Sequence, residues 1–171
     1  LYQDLSILLI LQPMIQEETI DACIELVADS QQDWLRLMSE KQPVLASYLT
    51  SEDHEAFSEG ETQYLYYLAV MIWMCFDRTY PEMAEVDEET LALREEQNWN
   101  RVDSLRPASL KNIVDRIMPD YPEQELLFYL EDALQMDEED PEHPVTRAGQ
   151  IPLFVTLLSI SDALSEAATA G

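Results

Sequence analysis

The chain has 171 residues, with 35 Asp and Glu against 9 Lys and Arg, a formal net charge of -26 and 47% hydrophobic residues. That apolar fraction excludes wholesale disorder, and the length fits one domain. The charge excludes direct binding to a phosphate polymer or an anionic membrane, both of which would repel it. Only 3 glycines occur, too few for the tight turns of a strand-rich fold. Helical periodicity runs through almost the whole chain. The expected fold is all-α: one domain over residues 1–171, a compact bundle of eight to ten helices around a central apolar helix.

Leu5, Leu8 and Leu9 mark a first short helix that Pro13 ends. Asp4 precedes the apolar run 7–11, which has no basic flank, so a signal peptide is not expected. Ile20, Cys23, Ile24 and Val27 form the stripe of a second helix, with Glu17 and Glu18 at its favourable N-terminal end. Ser30 with Asp33 can cap a third, and Pro43 opens a short fourth. Ser58-Glu59-Gly60-Glu61 fits a capping box before the run Tyr64–Phe76. That run is apolar on every face and shorter than the ~20 residues of a membrane span. It predicts a buried central helix over about 61–77, whose tyrosine hydroxyls and Trp73 N–H need partners or solvent.

A helix over about 88–98 follows. Pro107 is expected to start another, with Leu110, Ile113, Val114 and Ile117. Asp120-Tyr121-Pro122-Glu123 reads as a capped start with proline in the first turn, ahead of Leu126, Leu127, Leu130 and Leu134. Residues 137–150 form an acidic, proline-containing loop. Pro152 then opens the last helix, and 167–171 reads as a frayed tail. Thr79-Tyr80-Pro81-Glu82 and Asp120-Tyr121-Pro122-Glu123 lie 41 residues apart, a spacing compatible with a helical repeat.

Little in the sequence points to catalysis. Cys23 and Cys75 both fall in apolar helical patterns and read as buried thiols, which fits a reducing cytoplasm. His54 and His143 read as solvated loop residues, since neither has the Glu-x-x-His spacing of a helical di-iron site. The run Asp137-Glu138-Glu139-Asp140-Pro141-Glu142 lacks the order and central glycine of a calcium loop. There is no Gly-rich phosphate cradle and no nucleophile elbow. No catalytic residue, metal or cofactor is assigned.

The acidity is the functional signal. Residues 51–100 hold 13 acids and 2 bases, the densest stretch. The residues expected to form a partner-binding acidic face are Glu82, Glu85, Asp87, Glu88, Glu89, Glu95 and Glu96. Asp137, Glu138, Glu139, Asp140 and Glu142 form a secondary acidic loop. A monomer of this mass exposes roughly 8,600 Å², about one acid per 245 Å². A DNA duplex presents roughly one charge per 107 Å². Imitating DNA therefore requires the acids to cluster on one face or across a dimer. Pairs at i and i+4, such as Glu85 with Glu89 and Asp21 with Glu25, have helical spacing close to that of phosphates.

The expectation is a non-enzymatic cytoplasmic protein that docks on a basic protein surface, in its sharper form a DNA mimic that inhibits a DNA-binding protein. No direct nucleic-acid or membrane partner is expected, and a homodimer is compatible with the pattern. Two alternatives stand beside it. One is a scaffold or dimerising protein whose charge serves only solubility or salt adaptation. The other is a carboxylate-based, metal-dependent enzyme.

Overall fold

The computed structural model describes residues 14–170; the expected first helix lies outside them. Within that range the chain is all-helical: eight α-helices packed against one another, with two short 3-10 turns. They are α1 Glu17–Ala28, α2 Gln31–Lys41, α3 Pro43–Leu49, α4 Glu59–Thr79, α5 Glu88–Leu105, α6 Leu110–Ile117, α7 Gln124–Ala133 and α8 Gln150–Ala170.

Helix α4 is the expected central helix, and its start is the capping box. Ser58 Oγ accepts from the Glu61 backbone N–H at 3.1 Å, and Glu61 Oε1 accepts from the Ser58 N–H at 3.1 Å. The run Leu68 to Phe76 is buried without interruption, because α1 and α2 cover one side of α4 and α8 covers the other. The Tyr64 hydroxyl finds the Ala133 carbonyl at 2.7 Å. The Trp73 indole N–H is buried and has no hydrogen-bond partner among the described residues, at a cost of about 1–3 kcal/mol.

Helix α8 runs beside α4 in the same direction. At one end Thr146, four residues before α8, donates from its hydroxyl to Glu61 Oε2 at 3.0 Å. At the other end the Ala84 N–H, just past α4, donates to the Ala167 carbonyl at 3.1 Å. Helix α8 is long and apolar enough to cross a membrane by length and composition, but 67% of its apolar window is buried inside the protein, as in a core helix. Helix α5 packs antiparallel to α8: Arg94 meets Glu166, and Asn98 meets Ser159. Helix α7 closes the bundle against α8 and α1.

Several expected boundaries move. Pro107 does not start α6. It follows Arg106 through a cis peptide bond, and Ser109 is the N-cap instead, accepting from the Asn112 N–H at 3.2 Å. Glu123 precedes α7 without capping it, because its side chain turns into the core. The last helix starts two residues before Pro152 and continues through Ala170, with Ala167 buried under the Ala84 turn, so residues 167–170 are helix. Cys23 on α1 and Cys75 on α4 are buried free thiols.

Of the two described glycines, Gly149 is the one where packing requires the absence of a side chain. A Cβ there would overlap the Glu61 carboxylate, which the cap and Thr146 already hold in place. Gly149→Ala should displace that carboxylate and cost about 1–2 kcal/mol, the worth of a helix cap. A thermal melt of the variant should show a clearly lower midpoint than the parent.

Candidate functional site

The expected acidic face begins in the turn after α4 and continues along α5. Glu82, Glu85, Asp87, Glu88, Glu89 and Glu96 are exposed, and Glu95 is half-buried. None of the seven forms an ion pair among the described residues, and the one cation in their stretch, Arg94, pairs with Glu166. Their roles nonetheless differ. Asp87 is the N-cap of α5: its carboxylate accepts from the Thr90 N–H at 2.7 Å and the Thr90 hydroxyl at 2.9 Å. Those bonds hold its pKa below the ordinary value.

Glu89 and Glu96 flank Leu93 on one stripe of α5, at i, i+4 and i+7. Leu93 is 52% exposed, one of the few large apolar side chains left in solvent. Glu88 and Glu95 instead line a groove of about 500 Å³ against α3, shared with Asp53 and Tyr48. Burial, and then the adjacent Glu95 carboxylate, pushes the Tyr48 hydroxyl far up.

The secondary loop is exposed along Asp137, Glu138, Glu139, Asp140 and Glu142. Asp137 Oδ1 accepts from the Glu139 N–H at 2.9 Å, and Asp140 Oδ1 from the Glu142 N–H at 3.0 Å, so the loop turns on its own carboxylates. It is anchored at the start of α4, where the His143 ring meets Tyr64 edge-on at 5.8 Å. Residues 82–87 follow the other end of α4. A helix of that length separates its ends by about 30 Å, so residues 82–87 and the loop lie far apart.

The expectation that both histidines are solvated requires correction. His54 is only 8% exposed. It sits edge-on to Tyr48 at 4.9 Å and stacks with Phe57 at 5.9 Å, and its Nδ1 has no hydrogen-bond partner. An aromatic neighbour on each side of His54 in sequence was the available signal. His143 is half-buried. No three His, Cys, Asp or Glu side chains among the described residues converge in a way that could hold a metal ion.

A second concave region was not anticipated. A cleft of about 480 Å³ lies between α5, the turn joining α6 to α7, and the end of α8. Arg94, Arg101 and Arg116 all line it, three of the chain's nine basic residues. Beneath it lies a buried polar network. Asn98 donates to Ser159 Oγ at 3.1 Å and to Asp162 Oδ2 at 3.0 Å. The Tyr121 hydroxyl shares a hydrogen bond with Ser161 Oγ at 2.8 Å and donates to Asp162 Oδ1 at 3.1 Å. Burial raises the Asp162 pKa, opposed by the hydrogen bonds from Asn98 and Tyr121 and by the charges of Arg94 and Arg101. Glu123 is similar: it is 2% exposed and accepts from the Tyr80 hydroxyl at 2.6 Å and the Ile15 N–H at 2.9 Å. Burial again holds its pKa above the ordinary value.

No family model matches the chain, and neither a curated protein nor a solved structure matches it.

The two raised carboxyls make a signed prediction. A group whose pKa is higher in the folded state contributes stability that is fully present below its unfolded pKa, about 4 here. That contribution is lost as pH rises through the folded value. Urea denaturation between about pH 4 and 8 should show the parent losing stability with rising pH. Asp162→Asn and Glu123→Gln should each flatten that slope. A variant slope equal to the parent's would contradict the assignment.

Proposed function

We propose that this chain is a non-enzymatic docking protein whose α5 face engages a basic surface on a partner protein. The observation that carries the reading is the exposed Leu93 flanked by Glu89 and Glu96, with Glu85 and Glu88 nearby and no cation among the described residues neutralising any of them. A pure solubility surface needs carboxylates but gains nothing from a large apolar side chain in their midst. A docking surface uses both: the apolar residue anchors, and the charges steer and select.

The whole-surface charge density favours this local reading over imitation of a duplex. The molecule exposes 10,283 Å², about one acid per 294 Å² when shared among its 35 acids. That is nearly three times sparser than the roughly one charge per 107 Å² of DNA. The loop 137–142 lies at the opposite end of α4 from residues 82–87, which works against one continuous acidic patch within one copy. The DNA-mimic form of the proposal therefore needs a second copy to extend the charged face.

The test is capture at low salt with elution by a salt gradient, followed by affinity measurement on the recovered partner. Glu85→Lys, Glu88→Lys and Glu89→Lys combined should weaken binding at least tenfold, or about 1.4 kcal/mol, and should reduce its salt dependence. Leu93→Ser alone should weaken it too, which a purely electrostatic encounter would not show. Salt-insensitive affinity, unchanged by either variant, would sink the reading in favour of an acidity that serves only solubility.

A further inference from the structure

We infer that the arginine-lined cleft between α5, the α6–α7 turn and the end of α8 binds a small organic phosphate monoester. The inference stands independently of the docking face. The chain has only 9 basic residues against 35 acids, yet three of the nine converge on one concave site. Arg94 and Arg101 are seven residues apart on α5 and share a side of that helix. Arg116 comes from the last turn of α6. Only the tertiary fold brings it to the other two.

Three carboxylates share the cleft with these guanidinium groups, and two of them are already bonded. Glu166 is paired with Arg94. Asp162 also lines the cleft, and Asn98 and Tyr121 each donate to a different one of its oxygens. Asp120 lines the mouth and is exposed. Among the described residues, neither Arg101 nor Arg116 has a carboxylate oxygen within ion-pairing distance, although the Arg101 charge is felt at Asp162. Two uncommitted guanidinium groups facing one cavity match a dianion, and guanidinium forks bind phosphate oxygens in bidentate fashion.

The rest of the site sets the ligand's size and body. Leu105, Ile117, Pro122 and the Tyr121 ring supply apolar wall beside the charges. A volume of about 480 Å³ lies in the range of small-molecule sites. The surrounding net charge of -26 repels an extended polyanion, so a nucleic acid or a highly phosphorylated segment does not fit. A compact ester with one phosphate and a small apolar or aromatic body does.

Calorimetric titration of the chain at low ionic strength tests this with phenyl phosphate, inorganic phosphate and benzoate as probes. Phenyl phosphate should bind saturably at one site with a dissociation constant below about 1 mM, a threshold equivalent to −4.1 kcal/mol, and more tightly than either other probe. Arg101→Ala and Arg116→Ala should each weaken it at least tenfold. Arg147→Ala, an exposed arginine outside the cleft, should leave it unchanged. Both cleft arginines are exposed, and a thermal melt close to the parent's confirms that each variant is folded. Absence of saturable binding, equal weakening by Arg147→Ala, or benzoate binding as tightly as phenyl phosphate would each overturn the assignment.

Discussion

A helix buried on nearly every side loses stability for each polar group left unpaired, and α8 carries four, Thr156, Ser159, Ser161 and Asp162, all of them bonded. The Thr156 hydroxyl donates to the Pro152 carbonyl at 2.9 Å and the Ser159 hydroxyl to the Val155 carbonyl at 2.7 Å, both within the helix. Ser161 and Asp162 reach outward instead, to Tyr121 and Asn98. Leaving either unmade would cost about 1–3 kcal/mol. Apolar contact between α5 and α8 alone would tolerate sliding, whereas these bonds fix one register. Fixing that register also fixes the cleft: Arg94 and Arg101 stand on the helix that carries Asn98, and Tyr121 lies in the turn that joins α6 to α7.

The same logic distinguishes acids that build the fold from acids left on its surface. Glu61 caps α4, accepts from Thr146 and occupies the space that Gly149 leaves open, so it joins the start of α4 to the start of α8. Glu123 accepts from Tyr80 at the far end of α4 and from Ile15 ahead of α1. Asp87 sets the start of α5. A buried carboxylate is tolerable only with such donors around it. The protein's acidity is thus not one property. A few carboxylates are structural clips, and the others, in the turn after α4, on α5 and in the 137–142 loop, set the surface field.

The all-α architecture was legible because the evidence for it is local: three glycines, helical periodicity and a capping box whose two hydrogen bonds both form. The apolar stretch inside α4 was equally plain. What stayed hidden was tertiary. Glu123 looked like the start of a helix, because nothing in Asp120-Tyr121-Pro122-Glu123 shows that Tyr80 will wait 43 positions earlier to bond it. His54 looked solvated among acids, yet Tyr48 and Phe57 enclose it. The cleft was half legible: the spacing of Arg94 and Arg101 and the polar run Ser159–Asp162 in an apolar helix are visible in the sequence. Arg116 belongs to a separate helix, and no periodicity connects it to them.

A charge of -26 acts at two ranges, and the fold keeps them apart. At long range it is a field that draws basic partners and repels polyanions, and it depends little on which helix bears which acid. At contact range only the local arrangement counts. On α5 the outer stripe presents Glu89, Leu93 and Glu96, while Arg94 and Arg101 lie on the side facing the cleft, about 80° or more away around the same helix. One helix thus bounds both the acidic stripe proposed to dock on a basic protein and the cleft proposed to hold a small anion. The intervening backbone is held rigid by the Asn98 bonds to α8. A partner seated on Leu93 and an ester seated between Arg101 and Arg116 would then touch different sides of one fixed element and would not compete for the same groups.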